Sequence, residues 1–159
     1  MPAADKVVPL EEALARAEEV RRRGGRIGLA NGVFDLLHVG HVRYLEAARA
    51  LCDQLVVAVN SDASVRANRG DGLPLVPEGE RAEVVAALGA VDLVVVFGEK
   101  DVSEVVRAIR PELHIKGTDY TVETVPERAL VESLGGRVVI AGDEKTHSST
   151  AVRAKLRGG

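Results

Sequence analysis

The chain has 159 residues, of which 46% are hydrophobic and 28% charged, and this suits one domain with a self-sufficient core. Its net charge of −3 gives no global attraction to nucleic acid or to an anionic membrane, and the absence of tryptophan argues against a base-stacking platform. A single cysteine excludes an intrachain disulfide. Because no signal-peptide pattern or membrane-length apolar run is present, we expect a cytoplasmic protein.

The first 25 residues predict a loose tail over 1–8 followed by a helix. The helical pattern opens with Pro9 and two glutamates, collects arginines in its last turn and ends at Gly24 and Gly25. We therefore separate this tail and helix, residues 1–25, from a single domain over residues 26–159.

Beyond residue 25, short apolar runs alternate with helical patterns. Strands are predicted near residues 26–31, 53–60, 92–97, 112–116 and 137–141, and helices near 39–51, 77–89, 101–109, 126–134 and 149–156. Residues 61–76 are polar and glycine-rich, which indicates a short helical turn and a loop. The alternation predicts an α/β fold, a Rossmann-like doubly wound sheet of five parallel strands flanked by helices. Ligands of such sheets bind beyond the carboxyl ends of the strands, where most polar clusters of this sequence fall.

The string N-G-V-F-D-L-L-H-V-G-H follows the first strand and leads into a helix. Gly32 and Gly40 allow the backbone to approach a ligand closely. His38 and His41 stand at the helix entrance, where the dipole is positive, and can donate to phosphate oxygens that gain charge during nucleotidyl transfer. Two alternatives stay open at this point. One is a helix cap beside a solvated histidine, and the other is a zinc site of Asp35, His38 and His41.

Two further polar clusters follow later strands. After the fifth strand, Ser148, Ser149 and Thr150 supply hydroxyl and helix-start N–H groups, which form either a simple cap or a second anion pocket. After the fourth strand, Lys116 can neutralise a phosphate and Asp119 can hold a sugar hydroxyl, unless this segment is a solvated turn.

The string N-G-x-F-D-x-x-H-x-G-H resembles the signature of the cytidylyltransferase-type nucleotidyltransferases, a family with a Rossmann-like sheet of five parallel strands. The S-S-T string before the last helix resembles the family's second signature. With K-G-x-D-Y and V-A-V-N-S-D, the chain is most similar to the D-glycero-β-D-manno-heptose 1-phosphate adenylyltransferases, either stand-alone or half of a kinase–adenylyltransferase; we expect the stand-alone form. No Walker A or G-x-G-x-x-G string is present, which disfavours P-loop kinases and NAD enzymes.

The resemblance implies an enzyme that joins ATP to a sugar 1-phosphate and releases ADP-heptose and pyrophosphate. It further implies Mg²⁺, held mainly by the nucleotide phosphates rather than by a protein metal site, and a homodimer. We expect neither nucleic acid nor a membrane as a partner. The alternatives are a glycerol 3-phosphate cytidylyltransferase, an FMN adenylyltransferase, and a nucleotide-binding regulatory domain without turnover.

The resemblance also assigns roles to single residues. The expected catalytic residues are His38, His41 and Lys116. The expected nucleotide-binding residues are Asn31, Gly32, Val33, Phe34, Gly40, His41, Arg81, Ser148, Ser149 and Thr150. The expected substrate-binding residues are Asp35, Arg69, Lys116, Asp119 and Tyr120.

Two other residues receive structural interpretations. His114 lies in the middle of a predicted strand and is expected to be a packing histidine. Arg153 is expected to form a solvated face of the last helix with the two basic residues that follow it.

Overall fold

A computed structural model describes residues 1–143 and 149–158 of the chain. Its one sheet contains the strands β1 (Ile27–Gly32), β2 (Gln54–Asn60), β3 (Leu93–Phe97), β4 (Leu113–Lys116) and β5 (Arg137–Ile140). The strands lie in the order β3-β2-β1-β4-β5, and every neighbouring pair is parallel. The predicted five-stranded, doubly wound fold is confirmed.

Helices connect the strands. They are α1 (Leu10–Arg22), α2 (Val39–Arg49), α3 (Asp62–Arg69), α4 (Glu78–Ala86), α5 (Ser103–Ile109), α6 (Arg128–Ser133) and α7 (Ser149–Gly158). The helix α3 extends over two turns, where the sequence indicated only a short turn. It forms because Ser61 caps it, with its Oγ accepting from the Ser64 N–H at 3.1 Å.

Each face of the sheet has its own apolar core, because successive side chains of a strand point to opposite faces. On one face, Ala13 and Ala17 of α1 pack with α5 and α6 against Leu29. On the other face, Leu45 of α2 packs with α4 against Ile115. Each large aliphatic side chain buried in this way contributes about 1.5–3 kcal/mol to folding.

The first eight residues are docked on the domain, so the prediction of a loose tail was wrong. A 3₁₀ turn, Ala3–Lys6, leads to Val7, which forms a parallel bridge to Val94. The Val8 N–H donates to the Val94 carbonyl at 2.9 Å, and Lys6 Nζ donates to the Val91 carbonyl at 2.9 Å. The segment satisfies part of the outer edge of β3, which would otherwise expose backbone groups.

The strand order reverses between β1 and β4. The chain continues from β1 to β2 and β3 on one side, and β4 and β5 lie on the other side. The connections that leave β1 and β4 therefore diverge and open a crevice at the carboxyl ends of these two strands. Asn31 and Lys116 lie at the two ends, and Lys116 Nζ donates to Asn31 Oδ1 at 3.2 Å.

Candidate active site

A cleft of about 470 Å³ occupies this switch point, a volume typical of small-molecule sites. Its walls come from the ends of β1, β2, β4 and β5, from the start of α2, and from α3 and α7. The predicted site residues that the cleft brings together are Asn31, Gly32, Val33, Phe34, Asp35, His38, Gly40, His41, Arg69, Lys116, Asp119 and Tyr120.

His38 and His41 cap the entrance of α2 reciprocally. His38 Nδ1 accepts from the Gly40 N–H at 3.1 Å, and His41 Nδ1 accepts from the His38 N–H at 3.2 Å. Because both Nδ1 atoms accept, a neutral ring carries its proton on Nε2. The ring centroids are 4.0 Å apart, and both rings line the cleft. Each ring can thus offer an Nε2–H donor to a ligand beside the positive end of the helix.

Phe34 packs beside the histidine pair, next to the ring of His41. The residue has a φ of 52°, which is uncommon for a bulky side chain, and its ring centroid lies 5.4 Å from that of His41. A Cβ on Gly32 would come within 3.0 Å of the Phe34 ring. Gly32 therefore provides room for this ring, a packing role that the sequence did not reveal.

Lys116 forms another wall of the cleft and is almost completely buried. Its ammonium group bonds to Asn31 Oδ1 and lies 4.7 Å from the centroid of the Tyr120 ring. Burial lowers the pKa of Lys116, and the Glu127 and Asp119 carboxylates offset part of this shift. The wall therefore carries a poorly hydrated cation, which a phosphate group would neutralise.

A family model described as cytidylyltransferase-like matches residues 29–155 of this sequence. The chain belongs to the cytidylyltransferase-like family. The predicted family is confirmed, and the match includes both walls of the cleft.

Similar proteins agree with this membership. Relatives named bifunctional protein HldE come from Acidiphilium cryptum, 51% identical over 152 residues, and Syntrophotalea carbinolica, 52% identical over 153 residues. The chain spans 31% of the length of each, and each match covers 96% of this chain. A crystal structure of the lipopolysaccharide core biosynthesis protein from Thermoplasma volcanium GSS1 has a TM-score of 0.67 and 29% identity, covering 77% of this chain and 100% of that one.

Arg81 does not line the cleft of this cytidylyltransferase-like chain, so its expected direct contact with the nucleotide needs correction. The side chain is completely buried. Nε donates to the Val76 carbonyl at 2.8 Å, and Nη1 donates to the carbonyls of Val33 at 2.7 Å and Asn60 at 2.8 Å. Nη2 bonds to Asp62 Oδ1 at 2.7 Å. The planar guanidinium ties the loop after β1 to the end of β2, and it shapes the cleft from beneath.

Asp35 lines the cleft, but its carboxylate already serves the protein backbone. It accepts from the N–H groups of Leu75 and Val76 at 3.0 Å, and its Oδ2 lies 3.5 Å from Arg153 Nη1. Asp35 therefore has a structural role at the cleft, and its expected contact with the sugar phosphate stays a prediction. The solvated face expected for Arg153 was wrong, because its side chain is buried against Asp35 while the two later basic residues are exposed.

The serine–threonine string is only partly described. Ser148 lies outside the described residues, and for Ser149 and Thr150 the structure gives the helix backbone but not the side chains. Arg153 lines the cleft one helical turn after Ser149, so the start of α7 lies close to the cleft wall. Phosphate contacts from this string stay a prediction.

Tyr44 is a cleft residue that was not predicted from the sequence. Tyr44 lines the cleft three residues after His41, a spacing that places both on neighbouring positions of one helix face. Its hydroxyl donates to the Ile115 carbonyl, and burial raises the pKa of the phenol. This contact fastens the start of α2 to β4.

Neither a metal cluster nor a membrane span is found in the part of the chain that the structure describes. Over residues 1–143 and 149–158, no three His, Cys, Asp or Glu side chains are grouped to hold a metal ion. The zinc interpretation of Asp35, His38 and His41 therefore has no support in the geometry. Among the same residues, no helix has both the length and the apolar character that crossing a bilayer requires.

Proposed function

We propose that this cleft joins ATP to a sugar 1-phosphate. A phosphate oxygen of the sugar attacks the α-phosphorus of ATP in line, and the bond to the β-phosphate breaks. Pyrophosphate leaves with the electron pair, and the nucleoside diphosphate sugar remains. Because no covalent enzyme intermediate is needed, the protein has to position the two substrates and stabilise charge.

The observation that carries this proposal is that one cleft is lined by the His38–His41 pair and by the ammonium group of Lys116. His38 and His41 would donate Nε2–H bonds to the α-phosphate oxygens, whose charge increases in the transition state. Lys116 would neutralise the phosphate of the incoming sugar. Asp119 and Tyr120 border Lys116 and would hold the sugar.

The remaining expected contacts are to the nucleotide. The segment from Asn31 to Phe34 would line the nucleoside through its backbone, and the start of α7 would hold the outer phosphates. Arg69 lines the cleft from α3 and would reach a phosphate of either substrate.

Mg²⁺ fits this site as an ion that the nucleotide brings with it. The described carboxylates near the cleft form no metal cluster, and Asp35 is bonded to backbone N–H groups. When bound, Mg²⁺ would neutralise phosphate charge through the phosphate oxygens.

The choice of substrates rests on the resemblance and on the relatives. The sequence strings are most similar to those of D-glycero-β-D-manno-heptose 1-phosphate adenylyltransferases, and the similar curated proteins are named bifunctional protein HldE. The similar Thermoplasma volcanium structure is a lipopolysaccharide core biosynthesis protein. We therefore propose ADP-heptose, a donor for cell-surface glycan, as the product.

A substrate grid tests the proposal. ATP, CTP, GTP and UTP are each combined with heptose 1-phosphate, glycerol 3-phosphate and FMN, while pyrophosphate release and product mass are measured. The expected result is turnover with ATP and heptose 1-phosphate, lost in a His38→Ala/His41→Ala preparation that controls for contaminating enzymes. Turnover with CTP and glycerol 3-phosphate, or with ATP and FMN, would overturn the substrate choice. Absence of pyrophosphate from every pair would favour a regulatory nucleotide-binding domain.

Two further proposals, on the oligomeric state and on the location in the cell, accompany this function. We propose a homodimer, by family resemblance, which light scattering after size-exclusion chromatography would test. We also propose that the enzyme works in the cytoplasm, where ATP and sugar phosphates are available.

A further inference from the structure

Two asparagines line a side of the cleft that the proposed nucleotide contacts do not use. Asn60 is the last residue of β2. Asn68 lies on α3, on one helix face with Val65 and Arg69, which also line the cleft. The contacts proposed above for the nucleotide come from the loop after β1, from the start of α2 and from α7. The ends of β2 and α3 are therefore left for the second substrate.

Two carbonyl groups determine the orientation of the Asn68 amide. Its Nδ2 donates to the Ser64 carbonyl at 3.0 Å and to the Lys100 carbonyl at 3.0 Å. The opposite orientation would place Oδ1 against two carbonyl oxygens, neither of which can donate. Because both N–H groups are used in this way, the polar atom that Asn68 can offer to a ligand is Oδ1, which is an acceptor.

The hydroxyl of Ser64 determines the orientation of the Asn60 amide. Ser64 Oγ donates its one hydrogen to the Glu99 carbonyl at 3.0 Å. It can therefore only accept from Asn60, whose Nδ2 lies 3.0 Å away. Over residues 1–143 and 149–158, no hydrogen bond involves the Oδ1 of either asparagine. This side of the cleft thus carries two amide oxygens with a defined orientation.

Two amide oxygens in a cleft select the ligand group that they meet. They accept from hydroxyl groups, and they repel phosphate and carboxylate oxygens that have no hydrogen to donate. In the sheet, β2 lies two strands from β4, so the ends of these strands are about 10 Å apart. A sugar phosphate whose phosphate group lies at Lys116 would extend its hydroxyl groups over this distance.

We propose that Asn60 and Asn68 select the acceptor substrate by its hydroxyl groups, each Oδ1 accepting from one hydroxyl of the sugar. Ser64 is a positioning residue, because its Oγ orients the Asn60 amide while the residue lies outside the cleft lining. The identity of the sugar rests on the proposed function. The preference for a hydroxylated phosphate ester over a plain one does not require turnover.

The first test measures binding without turnover. Ligand-observed NMR titration compares heptose 1-phosphate with methyl phosphate, an ester that has no hydroxyl group on its carbon. Wild type should bind heptose 1-phosphate about 10-fold more tightly or better, and Asn60→Ala and Asn68→Ala should each reduce this preference by about 3- to 10-fold, because one neutral hydrogen bond is lost. Arg66→Ala, at an exposed position of α3 outside the cleft lining, is the matched control. Equal binding of the two esters by wild type, or an unchanged preference in both variants, would overturn the proposal.

A second test pairs each amide with a hydroxyl group. Heptose 1-phosphates that each lack one hydroxyl are titrated against wild type and the two alanine variants. An analogue that binds wild type about 3- to 10-fold more weakly should lose nothing further on the variant that lacks its partner. Additive losses for every analogue would show that the amides do not contact the hydroxyl groups.

Ser64→Ala covers the case in which an alanine variant fails to fold. Loss of Oγ lets the Asn60 amide rotate but keeps its Oδ1. The preference for heptose 1-phosphate should therefore fall by about 2- to 3-fold, while the affinity for methyl phosphate stays unchanged. An unchanged preference in folded Ser64→Ala would contradict the role of the oriented amide.

Turnover separates this inference from the proposed function. If both asparagine variants lose the preference for heptose 1-phosphate but wild type forms no ADP-heptose, the selecting role stands and the proposed function fails. If ADP-heptose forms and both variants keep the wild-type kcat/KM for heptose 1-phosphate, the proposed function stands and the selecting role fails. Weaker binding of the nucleotide instead of the sugar phosphate would assign the amides to ATP, which would also overturn the proposal.

Discussion

The two walls of the cleft are built in different ways. On the histidine wall, His38 and His41 are held by backbone contacts within three residues, and both rings are half-buried. On the lysine wall, Lys116 bonds to Asn31, which is 85 residues away in the chain and lies on β1. One wall therefore depends on a local helix cap, whereas the other depends on the neighbouring strands β1 and β4 being in register.

This difference suggests a division of work. The histidine wall can offer N–H donors whose direction is set by the cap, which suits charge that appears only in the transition state. The lysine wall offers a full charge, which suits charge that is already present on the substrate. Variants on the two walls should consequently affect different kinetic constants.

The largest effect is expected from His41→Ala. We expect kcat to fall by roughly 10²- to 10⁴-fold with the fold retained, because one donor to the α-phosphate is lost. Steady-state pyrophosphate release and a circular dichroism melt measure the two quantities. Val39→Ala, at an exposed position in the same helical turn, is the matched control and should keep normal turnover. Near-normal turnover in His41→Ala would remove this histidine from the mechanism.

Arg81→Met should have the next largest effect, on stability. Removing the buried guanidinium leaves three carbonyls and Asp62 without their donor, and the free energy of unfolding should fall by about 3–5 kcal/mol. Urea denaturation measures this change. Arg66→Met, at an exposed position outside the cleft lining, should change it by less than about 0.5 kcal/mol. If Arg81→Met instead kept its stability and lost only nucleotide affinity, Arg81 would be a direct ligand after all.

Lys116→Met should separate the two walls kinetically. Loss of a charge-assisted contact should raise KM for the sugar phosphate by about 10- to 100-fold and leave the dissociation constant of the nucleotide almost unchanged. Initial rates and calorimetric titration with a nucleotide analogue provide the two measurements. Equal losses for both ligands would show that the walls do not divide the substrates.

Arg69→Ala should have the smallest effect. Arg69 lines the cleft but is exposed, so its contribution to KM should be a few-fold at low salt and should fade as ionic strength increases. Kinetics at two salt concentrations measure this. An effect on KM as large as that of Lys116→Met, and independent of salt, would show that Arg69 contacts the substrate directly.

The sequence predicted those parts whose cause is local. The five strands follow from apolar runs, and the position of His38 and His41 at a helix entrance follows from the string that leads into α2. It did not predict contacts between distant segments. From the sequence alone Val7 belongs to a loose tail, because its bridge to Val94 on the edge strand β3 depends on the folded sheet.

Buried charge was the other feature that sequence could not reveal. Arg81 and Arg153 carry the same side chain as the exposed arginines, and only the fold shows that carbonyls or Asp35 surround them. Glu127 stands at the start of a helix, which is an ordinary position for an acidic residue. Only the fold shows that it lies beside His114 of β4.

The most direct test of the account is a crystal structure with an ATP analogue that carries a methylene group between the α- and β-phosphorus. We expect α-phosphate oxygens within about 2.7–3.2 Å of Nε2 of His38 and His41, and the outer phosphates at the start of α7. A triphosphate bound away from both histidines, or with its outer phosphates pointing away from α7, would contradict it.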